Sequence, residues 1–312
     1  MLVLVVVAVG SVLIGSRPVS PAELLDALGG HGDGDVLTLL WRVRAPRTLA
    51  ALAVGVALAV AGALMQTTTR NPLADPGLLG VGAGSAFFVT VGMSAFGLHS
   101  ALGVALTAIA GAAVMTILVL LLGLRGGDGS RLILAGIAFS TAVLGVRSMI
   151  TLLDPRALDA LRAWSAGSLA APDQAVLAVA TPFLGAGLLL AAGLVRPLDA
   201  LGLGEDLARG LGTRPTLVRA ASAAASALLV GGATAVAGPL AFVGLMVPHA
   251  VRPFTGPGTA RVLAACLVVG PALVLLADTL ARVALWPGEI PVGVVTAALG
   301  APVLIVLSRR GR

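Results

Sequence analysis

Three histidines, one cysteine and one glycine-rich loop are the features of this 312-residue chain whose residue types invite chemistry. His31, His99 and His249 stand far apart, so no pair has the spacing of a metal-binding helix. His31-Gly32-Asp33-Gly34-Asp35 reads as a turn, because one histidine and two aspartates at this spacing form no ligand pattern. Arg125-Gly126-Gly127-Asp128-Gly129-Ser130-Arg131 is rich in glycine but lacks the Lys-Ser/Thr ending of a phosphate-binding loop. Neither G-x-S-x-G nor H-E-x-x-H occurs. Cys266 lies alone in an apolar segment and reads as a small packing residue without an internal disulfide. Asp278 is the one acid within an apolar segment, and Arg282 four residues later supplies a helix ion pair. The sequence therefore names no catalytic residue and no metal site. Work done by this chain must be powered from elsewhere, by an ion gradient or by a partner that hydrolyses ATP.

The elements that carry these residues follow from composition. The chain is 58% hydrophobic and 11% charged, with a mean hydropathy of +1.05. A soluble domain of this length could not cover so much apolar surface with so few charges, whereas a multi-pass membrane protein can. All twenty basic residues are arginines scattered over loops, which argues against a nucleic-acid surface. The expected architecture is all-α, a single transmembrane domain over 1–312 in contact with membrane lipid, with about ten spans. These lie near 1–16, 48–66, 78–97, 101–124, 132–153, 174–195, 216–237, 240–252, 261–285 and 290–308. The first lacks a basic flank and a small-residue cleavage site, so it reads as a retained helix. Ser20 and Pro21 mark the start of a short helix in the loop that follows. Pro155 starts a second surface helix, with Trp164 as an interface anchor.

Placing the N-terminus inside gives the inner loops and tail eleven arginines. The outer loops then hold seven, at Arg17, Arg42, Arg44, Arg47, Arg156, Arg162 and Arg282. The positive-inside rule thus favours both termini in the cytoplasm. There is also an internal repeat. Val54 to Leu64 reads V-G-V-A-L-A-V-A-G-A-L, and Val230 to Leu240 reads V-G-G-A-T-A-V-A-G-P-L. The two segments lie five spans apart and so cross in opposite directions, as an inverted repeat of spans 2–5 and 7–10 requires. In the polar segment 196–214, Leu203, Leu207 and Leu211 recur every four residues and would share one helix face. That pattern fits an ordinary amphipathic connector or a partner-docking element.

Four stretches carry a family resemblance. Arg44 to Val81 reads R-A-P-R-T-L-A-A-L-A-V-G-V-A-L-A-V-A-G-A-L-M-Q-T-T-T-R-N-P-L-A-D-P-G-L-L-G-V. The others run from Leu201-Gly202 to Arg214, from Gly238-Pro239 to Arg252 and from Ala277-Asp278 to Pro302. Together they resemble FecCD-type permeases, the membrane subunits of ATP-driven importers for iron-siderophores, haem and cobalamin. The resemblance covers nearly the whole chain. It implies a cell-membrane permease working with two cytoplasmic ATPases that bind ATP and Mg, a second permease subunit and an extracytoplasmic binding protein. No cofactor is expected on this subunit. The implied cargo is a ferric siderophore, with haem or cobalamin as alternatives; an ion-coupled secondary carrier is the alternative of a different class.

The resemblance also assigns residues. Leu203, Gly204, Glu205, Leu207, Ala208, Leu211 and Gly212 match the cytoplasmic coupling helices that dock on the ATPase. Asn71 and Leu73 match an inner constriction, and Ser130 matches a second one, where Gly129 replaces a more usual side-chain-bearing residue. Arg44, Arg47 and Arg282 match arginines that pair with acidic residues on the two lobes of the binding protein. Arg147 stands in span 5 where the family pattern is usually apolar. It either snorkels outward or faces the path and holds an anionic cargo, with Ser140 and Thr151 on roughly the same face.

Overall fold

The computed structural model describes residues 1–15, 17, 19–31, 33–123, 129–285 and 288–310, and every regular element among them is helical. The order is α1 (Leu2–Leu13), α2 (Pro21–Leu28), α3 (Gly34–Thr38), a π-helical stretch (Leu39–Arg44), α4 (Ala45–Thr69), a 3-10 turn (Pro76–Leu79), α5 (Val81–Phe96), α6 (Ala101–Gly123) and α7 (Gly129–Leu153). Then follow α8 (Pro155–Ser165), α9 (Gln174–Gly193), α10 (Val195–Gly202), α11 (Glu205–Gly210), α12 (Pro215–Ala237), α13 (Val243–Thr255), α14 (Thr259–Val283) and α15 (Val292–Arg310). The chain is an all-α, multi-pass membrane protein.

Local sequence explains the ends. Ser20 Oγ accepts from the Glu23 N–H, and the Glu23 carboxylate accepts from the Ser20 N–H at 2.7 Å; with Pro21 in the first turn, this reciprocal cap starts α2. At the end of α4, Arg70 takes the left-handed conformation with φ 51°, and Pro72 cannot continue the helix. The π-helical stretch lets α3 and α4 run on as one 36-residue helix from Gly34 to Thr69, much longer than the expected second span.

Each of the ten expected spans coincides with a helix, but six are long and apolar enough to cross a membrane by themselves. Helices α1, α5, α13 and the apolar part of α15 are shorter. The 16 residues of α5 rise only ~24 Å against a hydrocarbon layer of ~30 Å.

In lipid, helices gain little from hiding apolar side chains from one another, so close backbone packing holds them together. Helix α4 lies at the centre, against α12, α13 and α14. A Cβ built on Gly55 would stand 2.5 Å from Pro271 Cα, and one on Gly62 would run into the Gly244 backbone. Gly84 and Gly111 give α5 and α6 the same intimacy, and Ser85 Oγ donates to Ala108 O at 2.8 Å. The repeat is visible in this packing. Helix α4 packs on α14, and its counterpart α12 packs on α6. Gly55 meets Pro271, while the corresponding Gly231 meets Ala112, 2.9 Å from a Cβ built there.

Candidate functional site

The arginines at the start of α4 and the end of α14 form one buried charge cluster. Arg47 Nε and Nη2 donate to the Asp278 carboxylate at 2.9–3.0 Å, and Nη1 donates to Glu289 at 2.9 Å. Arg282 Nε lies 3.3 Å from Asp278 Oδ2, which it shares with Arg47, and its two Nη groups donate to Ser11 O, Ser11 Oγ and Ile14 O. Arg44 donates to the carbonyls of Val12, Leu13 and Arg17. Two guanidiniums thus cap the C-terminal carbonyls of α1, where the helix leaves its last acceptors without partners and its dipole favours a cation.

These are the three arginines expected to dock a binding protein. Arg44, Arg47 and Arg282 are buried, at 4%, 6% and 4% exposure, and their donors are taken by this chain's own acceptors. Arg42 is exposed on the same helix. The sequence showed the Asp278–Arg282 pair but not Arg47 or Glu289, whose partners lie over 200 residues away.

The coupling segment also departs from expectation. Leu203, Leu207 and Leu211 do not share one helix face, because Gly204 adopts φ 113° and splits the segment into α10 and α11. The three leucines remain exposed, at 64%, 61% and 66%, and Leu217 at 63% adds to them. Ala208 is fully buried, so it packs inward and offers nothing to a partner. Glu205 pairs with Arg209 at 3.0 Å and with the buried Arg219, which straps α11 onto α12. The Arg219 hydrogen bond holds the Glu205 carboxyl below the usual carboxylate range. Arg219 sits 14 residues beyond Glu205, a spacing that gives no sequence signal. Gly212 follows α11 with φ 77°.

Asn71 and Leu73 form an exposed turn after α4, where Asn71 Oδ1 accepts from the Leu73 N–H at 2.9 Å. Ser130 belongs to the first turn of α7, and its side chain lies outside the described residues, as does the loop 124–128. Arg147 is half-buried, on the same side of α7 as Ser140 and Thr151, while Leu144, Met149, Leu152 and Leu153 are exposed. That side is less polar than expected. Ser140 Oγ donates to Gly136 O at 2.7 Å and Thr151 Oγ1 to Arg147 O at 3.1 Å, so both hydroxyls are spent on their own helix. The Arg147 guanidinium has no hydrogen-bond or ion-pair acceptor among the described residues.

A twofold-repeated helical bundle with broken helices, a buried charge cluster at one end and an exposed apolar surface on α10–α11 defines a membrane transport protein. The chain belongs to the FecCD transport family, which matches residues 2–310. It is 44% identical to the ferric enterobactin transport system permease protein FepD of Escherichia coli (strain K12), over 99% of this chain and 93% of that protein. It is 36% identical to the hemin transport system permease protein HmuU of Yersinia pestis, over 100% and 92%. Its fold is similar to a solved inward-facing metal-chelate-type ABC transporter, with a TM-score of 0.89 at 30% identity over 99% of this chain and 97% of that one.

Proposed function

We infer that this chain is the permease subunit of an ATP-driven importer that carries a ferric siderophore into the cytoplasm. The observation that carries the reading is the end-to-end 44% identity to a ferric enterobactin permease. Relatives named for hemin stand at 36% and those named for vitamin B12 at 38% and 42%, so haem and cobalamin are the alternative cargoes. The whole chain then acts as one transmembrane domain in the cell membrane, with both termini cytoplasmic. It pairs with a second permease subunit, and an extracytoplasmic binding protein delivers the cargo.

ATP and Mg belong to two partner ATPases, which dock on the exposed leucines of 196–214. An apolar patch of this kind is what a partner's cleft covers. Asn71, Leu73 and Ser130 narrow the inner mouth. Arg147 meets the anionic cargo, since a half-buried guanidinium without an acceptor among the described residues seeks one elsewhere. The arginine cluster at the outer end braces α1, α4 and α14 behind the docking face. Against an ion-coupled carrier stands Asp278, the acid such a carrier would need to titrate, which two arginines hold.

The test is uptake into proteoliposomes holding the full complex and its binding protein. The expected result is uptake of a ferric catecholate that requires ATP and is stopped by vanadate. Uptake driven by a proton or sodium gradient without ATP would establish a secondary carrier instead. Uptake of haem or cobalamin with the ferric chelate excluded would move the cargo.

A further inference from the structure

A cavity of about 510 Å³ opens where the two halves of the repeat meet. Leu58 of α4 and Thr234 of α12, the fifth residues of the two repeat segments, both line it. The cavity therefore sits at the repeat interface, where transporters of this kind of symmetry place their sites. Three helices begin on its wall, and each begins with the same dipeptide: Val81-Gly82 for α5, Val243-Gly244 for α13 and Val292-Gly293 for α15. All three glycines line the cavity.

The N–H groups of a first helical turn have no intrahelical acceptor, and the helix dipole adds about half a positive charge there. Neither α5 nor α13 carries a side-chain cap at its start. In α15 the Gly293 N–H is taken by Gly167 O at 3.2 Å, so that helix contributes its dipole more than this donor.

An independent observation comes from Thr234. It is 3% exposed and its hydroxyl has no hydrogen-bond partner among the described residues. Thr67, Thr69, Thr90 and Thr116 donate instead to the carbonyl four residues back in their own helices. A hydroxyl that reaches a cavity wall and is not spent on its own helix is a donor available to a ligand.

We propose that this cavity receives an anionic, oxygen-rich group of the cargo during transit, the oxygen edge of a catecholate or a carboxylate. The Thr234 hydroxyl, the first-turn N–H groups of α5 and those of Val243 and Gly244 in α13 are its donors, while the Leu245 N–H is held by Phe242 O at 3.1 Å. The remaining walls are mostly apolar and suit the faces of an aromatic ring. Asp75 is the one ionisable wall residue among those described. Its Oδ1 accepts from the Gly77 N–H at 2.7 Å, and burial raises its pKa. That the ligand is the cargo rests on the import reading above; that the cavity prefers an anion does not.

The two claims separate experimentally. A Cβ at Gly82 meets nothing within 4 Å, so this position tolerates a reporter. In the complete complex carrying Gly82→Cys, a small anionic thiosulfonate should label residue 82 at least tenfold faster than a cationic reagent of equal size. Equal or slower anionic labelling overturns the anion site, whatever the complex transports. The cargo role is read from uptake of an anionic ferric tris-catecholate. Gly82→Asp should cut uptake at least tenfold, and the equally large Gly82→Asn less than twofold. Thr234→Val should raise the KM for uptake several-fold. Equal losses in the Asp and Asn variants would show obstruction rather than charge and overturn the cargo role. A wild-type complex that imports no ferric chelate with ATP fails the import reading, while the labelling result still decides the anion site.

Discussion

Replacing Asp278 with asparagine keeps the shape of the side chain and removes the charge on which the arginine cluster converges. Arg47 would lose an anion held by two of its nitrogens at 2.9–3.0 Å, and Arg282 would lose one at 3.3 Å. The side chains of the Arg47–Asp278 pair are 7% and 1% exposed, so water cannot take over. Breaking a buried pair costs about 3–5 kcal/mol, because it leaves a desolvated charge behind. The lower end applies here, since Arg47 keeps Glu289 and Arg282 keeps Ser11 and Ile14. We expect Asp278→Asn to destabilise the purified protein by about 3 kcal/mol, a shift of about a hundredfold in the unfolding equilibrium. The measurement is unfolding in mixed micelles followed by circular dichroism. Combining Asp278→Asn with Arg47→Gln should recover part of the loss, because the second change removes the stranded charge. Glu289→Gln should cost at most about 1 kcal/mol, since that carboxylate is 34% exposed. A loss below 1 kcal/mol for Asp278→Asn, with no coupling to Arg47, would refute the idea that this cluster holds α1, α4 and α14 together.

Gly62→Val should abolish accumulation of folded protein in the membrane, because its Cβ would occupy the Gly244 backbone; a monodisperse variant on size exclusion would count against the close crossing of α4 and α13. Gly212→Trp should fold, since a Cβ there meets nothing within 4 Å, though φ 77° adds a strain of about 1–2 kcal/mol. It should nevertheless abolish cargo-stimulated ATP hydrolysis in the complex, and unaltered stimulation would remove this turn from coupling. Glu205 has a folded-state pKa below its ordinary value of 4.5, so its stabilising effect is present above that value and fades as pH falls through the depressed pKa. Hydrogen exchange in α11 should therefore show Glu205→Gln less protected than the parent at pH 7, with the difference vanishing under acid conditions.

Much of this protein was legible in its sequence, for local reasons. Ser20, Pro21 and Glu23 write a helix start within four residues, and Pro72 ends α4, because caps and prolines act on neighbouring backbone. The all-α membrane class follows from composition, and the repeat from matching segments whose packing partners also correspond. The ordered motifs from Arg44 to Pro302 identified the family that matches residues 2–310. What tertiary structure alone decided concerns which way a side chain faces and what stands opposite it. Arg44, Arg47 and Arg282 sit at the ends of apolar segments, where sequence patterns read as surface. They are buried because α1 and α14 bring carbonyls and a carboxylate to them from far along the chain. The three leucines of the coupling segment kept a helical period that Gly204 interrupts, and a glycine's choice of φ 113° depends on the surroundings that hold it there. The three Val-Gly starts lie 49 or more residues apart, and no local rule connects them. Only the folding of the two inverted halves onto each other brings these helix starts to a common cavity.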